Sequence, residues 1–417
     1  MIEKEKTTIE STHHDALNVP AVESRRRFLT ASGVLLGSAA FGGLFSGMIT
    51  KASASTTHSA SGGQRSLFAY IGSRTTLQRK AEGKGIEVYR FDPESGDFHH
   101  VQQVSGLDNP SYLIVHPNQR LLYTVHGDID QVSAYAIDQQ SGELSLINSE
   151  NCGGTNPVYL TLTPDNQCLL VANYATGSVG LHSINQDGSI GTLIDLLEFS
   201  GEPGPHRTQQ KGSHPHQVQY DPSHQWVIVP DKGLDKIFTL RLDVKHNRLS
   251  IAQEITTRSG AGPRHAAFHP ANAYCYIINE LDSTIAVYDF EVETGQLTPK
   301  QVITTLPQDY TANNTGSAIL VSGDGRFVYC SNRGHDSIAV FEIDQTTGLL
   351  SHSSWHSTQG QGPRFATFDP TGKWLLAANE LTHTLLSFEV STQSGGLLPH
   401  APLIETGSPV SIAFAAL

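Results

Sequence analysis

Cysteine is scarce in this chain of 417 residues. Its four copies, Cys152, Cys168, Cys275 and Cys330, show no C-x-x-C spacing, so neither a redox dithiol nor a thiolate metal site is expected. Basic residues are also in deficit: 27 Lys and Arg face 40 Asp and Glu, for a net charge of −13. With no extended Lys/Arg run past residue 54, nucleic acid and anionic membrane surfaces are excluded as partners. No helical periodicity of any length appears, which leaves little room for a helical domain. No Trp-Asp pair closes a repeat, so WD-type scaffolding is not expected either.

The main apolar run, Ala31 to Ile49, is rich in Gly and Ala and follows Ser24-Arg25-Arg26-Arg27-Phe28-Leu29-Thr30. Lys51-Ala52-Ser53-Ala54 offers a small-x-small cleavage site after it. A charged start, a modest apolar stretch and such an end describe an export signal, with an uncleaved anchor helix as the competing reading. The twin arginines resemble the Tat consensus, which implies the Tat translocon as a partner during export of an already folded protein. Residues 1–54 are therefore expected to be the leader and 55–65 a Ser/Thr/Gly-rich tether. The remainder, 66–417, is expected to be a single exported domain with no stable membrane insertion. Tat cargo folds in a reducing compartment, so the cysteines are expected to be free thiols rather than two bridges.

Short alternating runs punctuated by Gly, Pro, Asn and Asp fill the domain, the signal of an all-β fold. One phrase recurs: a Gly/Pro corner, an alternating apolar strand, a turn, and a second strand ending in Asn or Asp. Full copies start at Pro110, Pro157, Pro215, Pro263, Gly316 and Pro363, and a half copy starts at Pro409. A third strand and a turn follow each, as in Ser133–Asp138 with Ser141-Gly142 and Ile338–Asp344 with Thr347-Gly348. Units of about 50 residues with about four strands each are propeller blades. The half copy Pro409–Phe414 lacks a second strand, while Leu67–Gly72 lacks a first. Their pairing is expected to close a seven-bladed β-propeller from both chain ends.

In such a blade the start of the first strand and the end of the second lie at one mouth of the central channel. The residue after each corner reads Ser111, Val158, His216, Arg264, Ser317, Arg364 and Val410. The residue ending each second strand reads Gly127, Tyr174, Lys232, Glu280, Arg333 and Glu380, with Ser73 from the N-terminal strand. The preceding Asn/Asp column is expected to cap turns. Charge thus gathers on adjoining blades, which suits a small anionic molecule. Arg264–Glu280 and Arg364–Glu380 also fit structural ion pairs within a blade. His214-Pro215-His216 gives poor convergent ligand geometry and has no evident third partner, so neither a catalytic metal nor another cofactor is expected.

With these phrases aligned, the chain resembles the seven-bladed propeller lactonases, the group of the propeller-type 6-phosphogluconolactonase and the carboxymuconate cyclases. The matching residues are His214-Pro215-His216, Gly262-Pro263-Arg264-His265, Ile278-Asn279-Glu280-Leu281 and Ser331–Ser337, with a weaker match at Val171–Tyr174 and Gly177–Val179. The resemblance spans about residues 66 to 416. It implies His216, Arg264, Glu280 and Arg333 as catalytic residues. Tyr174, Lys232, His265, Arg364 and Glu380 are expected to bind substrate. Two departures, Ala318-Ile319-Leu320 for a Glu-Ile-His tripeptide and Val158-Tyr159 for Cys-His, make two blades of the mouth more apolar and leave the lactone unnamed.

The chemistry this implies is metal-independent hydrolysis of a sugar-type lactone, with Glu280 or His216 as general base and Arg264 and Arg333 holding the oxyanion. Two other readings stand beside it: cyclisation of a muconate-type dicarboxylate, and a solute-binding or scaffold propeller without activity.

Overall fold

A computed structural model describes residues 65–417. The expected leader, 1–54, and residues 55–64 of the tether lie outside the described residues. Among the described residues the chain forms seven four-stranded antiparallel sheets and a single turn of 3-10 helix, Leu77–Arg79. No helix there is long and apolar enough to cross a membrane. The innermost strands are Pro110–Val115, Pro157–Leu162, Gln219–Tyr220, Pro263–Phe268, Thr315–Val321, Pro363–Phe368 and Pro409–Ala416. Six of the seven begin at, or one residue from, a corner that the sequence repeat marks.

Closure is as the two half-units require. Pro409–Ala416 runs antiparallel to Leu67–Ser73, so the first blade is built from both ends of the domain and the remaining six follow in order. The ring is held by apolar packing between blades. Side chains alternate across each strand, so successive residues face opposite neighbours. Phe327 and Tyr329 pack onto the blade of Leu375 and Phe388, whereas Val328 and Cys330 pack onto the blade of Tyr276 and Val287. Each of the seven apolar clusters joins one pair of successive blades, and the cluster of Trp374, Leu376, Leu67, Ile71 and Ile412 seals the last to the first. Cys168, Cys275 and Cys330 lie in these clusters as buried free thiols, and Cys152 is likewise free and buried.

Hydrogen bonds add a latch between blades. The hairpin glycines have positive φ, as at Gly142 (75°) and Gly348 (70°), and their carbonyls accept from the preceding blade. Tyr70 Oη donates to Gly142 O, Tyr123 Oη to Gly188 O and Tyr276 Oη to Gly348 O, each at 3.0 Å.

One blade departs from its sisters. The corner at Pro215 makes only an isolated bridge to Asp231, and regular pairing begins at Gln219. The facing strand, Val227–Asp231, carries Pro230, which has no N–H to donate to the ladder. The inner strand is therefore interrupted beside His216.

Candidate active site

Five of the seven corners are followed by a one-residue β-bulge. Pairing skips one residue between Pro110 and Tyr112, Pro157 and Tyr159, Pro263 and His265, Pro363 and Phe365, and Pro409 and Ser411. The residues left out of the ladder are Ser111, Val158, Arg264, Arg364 and Val410. A bulge re-aims its side chain, and with His216 these five line one small cavity on the channel, about 10 Å³ and so room for one water. Arg74, Tyr112, His265 and Phe365 complete its wall. Tyr112 and Tyr159 stack with ring centroids 3.9 Å apart, and Phe365 meets Tyr112 edge-on at 6.0 Å. A wider cavity of about 590 Å³ opens at the other ends of the inner strands, around Val115, Leu162 and Tyr220, far from the charged cluster.

Beside the small cavity, Glu280 sits among three cations. Its Oε1 is 3.1 Å from Lys232 Nζ, and its Oε2 is 2.9 Å from Arg264 Nε and 3.3 Å from Arg333 Nη2. Backbone oxygens fix the two arginines: Arg264 Nη1 donates to Ser317 O at 2.7 Å and Arg333 Nη2 to Gly316 O at 3.0 Å. Lys232 Nζ also donates to Gln209 Oε1 at 2.9 Å. Burial alone would raise the Glu280 pKa, but Arg333, Lys232 and Arg264 together hold it well below the usual carboxylate range. Both predicted ion pairs are present, and the Arg364–Glu380 pair is the looser at 3.8 Å.

The histidines behave in the opposite way. Burial, then the charge of Arg264, lowers the pKa values of His216 and His265 well below 6.5, so both rings are neutral at neutral pH. His216 Nδ1 is buried with no protein partner. Arg264 Nη1 lies 3.4 Å from His265 Nδ1, which leaves the His265 proton on the unpartnered Nε2. The two rings are 5.2 Å apart. Tyr174 stacks on His214 at 4.5 Å, meets His216 edge-on at 5.6 Å, and has Lys232 Nζ 5.0 Å above its ring. His214 Nδ1 is engaged separately with Tyr174 O at 2.8 Å. All nine residues expected from the sequence thus gather at one mouth.

The register corrects one assignment. Ser73 pairs with Pro409 as His126 pairs with Pro110 and Asn279 with Pro263, so Ser73 belongs to the capping column. The residue equivalent to Glu280 is Arg74, which is 2% exposed. Gln209 was also not foreseen, because it lies in an insertion between blades that has no sister copy.

Comparison with known proteins decides the family. Residues 68–414 match the family described as "Lactonase, 7-bladed beta-propeller". The chain belongs to this lactonase family. Among relatives of this lactonase, the 6-phosphogluconolactonase of Bacillus subtilis is 36% identical over 349 residues, covering 83% of this chain and 98% of the relative. A 6-phosphogluconolactonase of Formosa agariphila is 31% identical over 363 residues, covering 82% and 98%. The solved periplasmic gluconolactonase of Pseudomonas aeruginosa superposes with a TM-score of 0.78 at 29% identity, covering 84% of this chain and 99% of that one.

Proposed function

We propose that this lactonase hydrolyses a sugar-type lactone at the charged channel mouth beside the small cavity, with neutral His216 as general base. The observation that carries the assignment is a buried, neutral imidazole whose Nδ1 has no partner, set beside Arg74, Arg264 and Arg364 on one cavity. Glu280 suits the role poorly: both of its oxygens are already ion-paired, to Lys232, Arg264 and Arg333, whereas His216 Nδ1 has no partner. Its part is to hold Arg264 and Arg333 in place.

In the first step His216 takes a proton from water while the water oxygen bonds to the lactone carbonyl carbon. The carbonyl π pair moves onto oxygen, and Arg264 and Arg333 stabilise that oxyanion. The oxyanion then collapses, the ring C–O bond breaks, and the departing alkoxide takes the proton back from the imidazolium. The product is the open hydroxy acid, with the site restored and no cofactor consumed. Three cations around one carboxylate leave net positive charge for the developing anion.

The leader reading belongs to the same proposal: residues 1–54 direct Tat export and 66–417 act outside the cytoplasm. The twin-arginine segment supports it, as does a structural relative that is itself named periplasmic. Steady-state assays of the full chain on plain and phosphorylated gluconolactones, beside muconate-type dicarboxylates, test the reaction. Ring opening with release of one acid equivalent is expected. Lactone formation from a dicarboxylate with no hydrolysis would overturn it.

A further inference from the structure

Arg74 is the unexplained charge in the mouth. It is buried at 2% exposure, yet its Nε and Nη1 have no hydrogen-bond partner. Its nearest carboxylate, Glu380, is 3.9 Å from Nε, beyond hydrogen-bond reach, and is shared with Arg364 at 3.8 Å. Arg79 is itself paired with Asp128. Two guanidinium groups thus share one loosely held carboxylate, and a buried donor left unmade is costly.

The surroundings are shaped around this side chain. A Cβ at position 127 would overlap Arg74 Nη1, so Gly127, the one member of its column without a side chain, makes the room. Ser111 Oγ, on the same blade as Gly127, is also buried without a partner. Arg74, Ser111 and Arg364 belong to the first, second and seventh blades in chain order, whereas His216 belongs to the fourth, across the ring. All four side chains line the same cavity.

We propose that Arg74, with Arg364 and Ser111, forms an oxyanion subsite that holds a phosphate or carboxylate carried by the substrate at a distance from its lactone carbonyl. The inference rests on the hydrolysis reading for which end of the ligand reacts, but not for the existence of the subsite. A guanidinium with free N–H groups presents a planar fork to such a group, and the Ser111 hydroxyl supplies a further donor. Burial, with Arg364 and Arg79 nearby, lowers the Arg74 pKa to about 9, so it remains a cation at neutral pH. The subsite gives the enzyme a preference for anionic over neutral lactones, set by Arg74 rather than by the Glu280 cluster.

Calorimetric titration of inorganic phosphate and of malonate into the full chain, its Arg74→Gln form and its Arg74→Lys form tests this directly. The parent is expected to bind at least one of the two, and the tighter one names the anion chemistry. Arg74→Gln is expected to weaken that binding about tenfold or more, with partial recovery in Arg74→Lys. The kcat/KM ratio of phosphorylated to plain lactone is expected to fall by a similar factor. Equal anion affinity in parent and Arg74→Gln overturns the subsite, as does an equal loss on charged and plain lactones. If Arg74→Gln fails to fold, Arg74→Lys decides: anion affinity weaker than the parent's supports the subsite, and unchanged affinity overturns it. Anion binding in a chain without lactone turnover keeps the subsite and sinks the hydrolysis reading; turnover without anion binding does the reverse.

Discussion

Burial acts in opposite senses on the ionisable groups of the mouth. It keeps His216 and His265 neutral, while neighbouring cations keep Glu280 ionised in spite of burial. The consequence for stability has a definite sign. In the unfolded chain the histidines protonate near pH 6.5, whereas the folded chain resists protonation until well below that. The unfolded state therefore binds more protons as pH falls below about 6.5, and folding stability declines from there downward. Buried His126 and His182 are shifted the same way and add to the slope. Glu280 contributes only at lower pH, because its folded form stays ionised through the ordinary carboxylate range. Thermal melts between pH 7.5 and 5 are expected to show a falling Tm, less steep in His265→Gln. An unchanged slope in that variant would contradict the shift. His216, Arg264, Glu280 and Arg333 were legible in the sequence because sister repeats carry Ser, Val or Tyr in their place. Arg74 was not, because the N-terminal strand takes its register from Pro409 at the far end of the domain.

At the scale of strands and turns, the repeat phrase located the inner strands and hairpin glycines but gave no sign of what the turns do for the ring. Gly348 shows the missing part. Its φ of 70° suits glycine, its carbonyl accepts from Tyr276 Oη of the preceding blade, and a Cβ there would lie 2.5 Å from the Tyr274 ring. Gly348→Ala is expected to cost about 1–3 kcal/mol through backbone strain and the displaced ring. Gly323→Ala is the control, since nothing lies within 4 Å of a Cβ there and φ is not positive. Equal Tm values for the two variants would contradict the requirement for glycine at that turn. The interruption beside His216 was also hidden. Pro230 is visible in the sequence, but that it faces the interrupted corner of its own blade follows only from the register.

For the whole molecule, the acidic chain carries its concentrated positive charge at one channel mouth, an arrangement that draws anions toward the site. Ring closure was readable from the two half-units. The division of the interior into seven inter-blade clusters was not, because a period of two does not say which blade lies on which side. The central claim is that neutral His216 is the base, while Glu280 organises the cations. Lactone turnover at neutral pH by His216→Gln, beside the parent and Glu280→Gln with the Tm of each recorded, tests it most directly. Loss of Glu280 leaves three buried cations unpaired, so Glu280→Gln is expected to lose about 3 kcal/mol of stability along with activity. His216→Gln is expected to keep a Tm near the parent's while kcat falls about 100-fold or more. A His216→Gln chain that opens lactones at the parent rate would contradict the account.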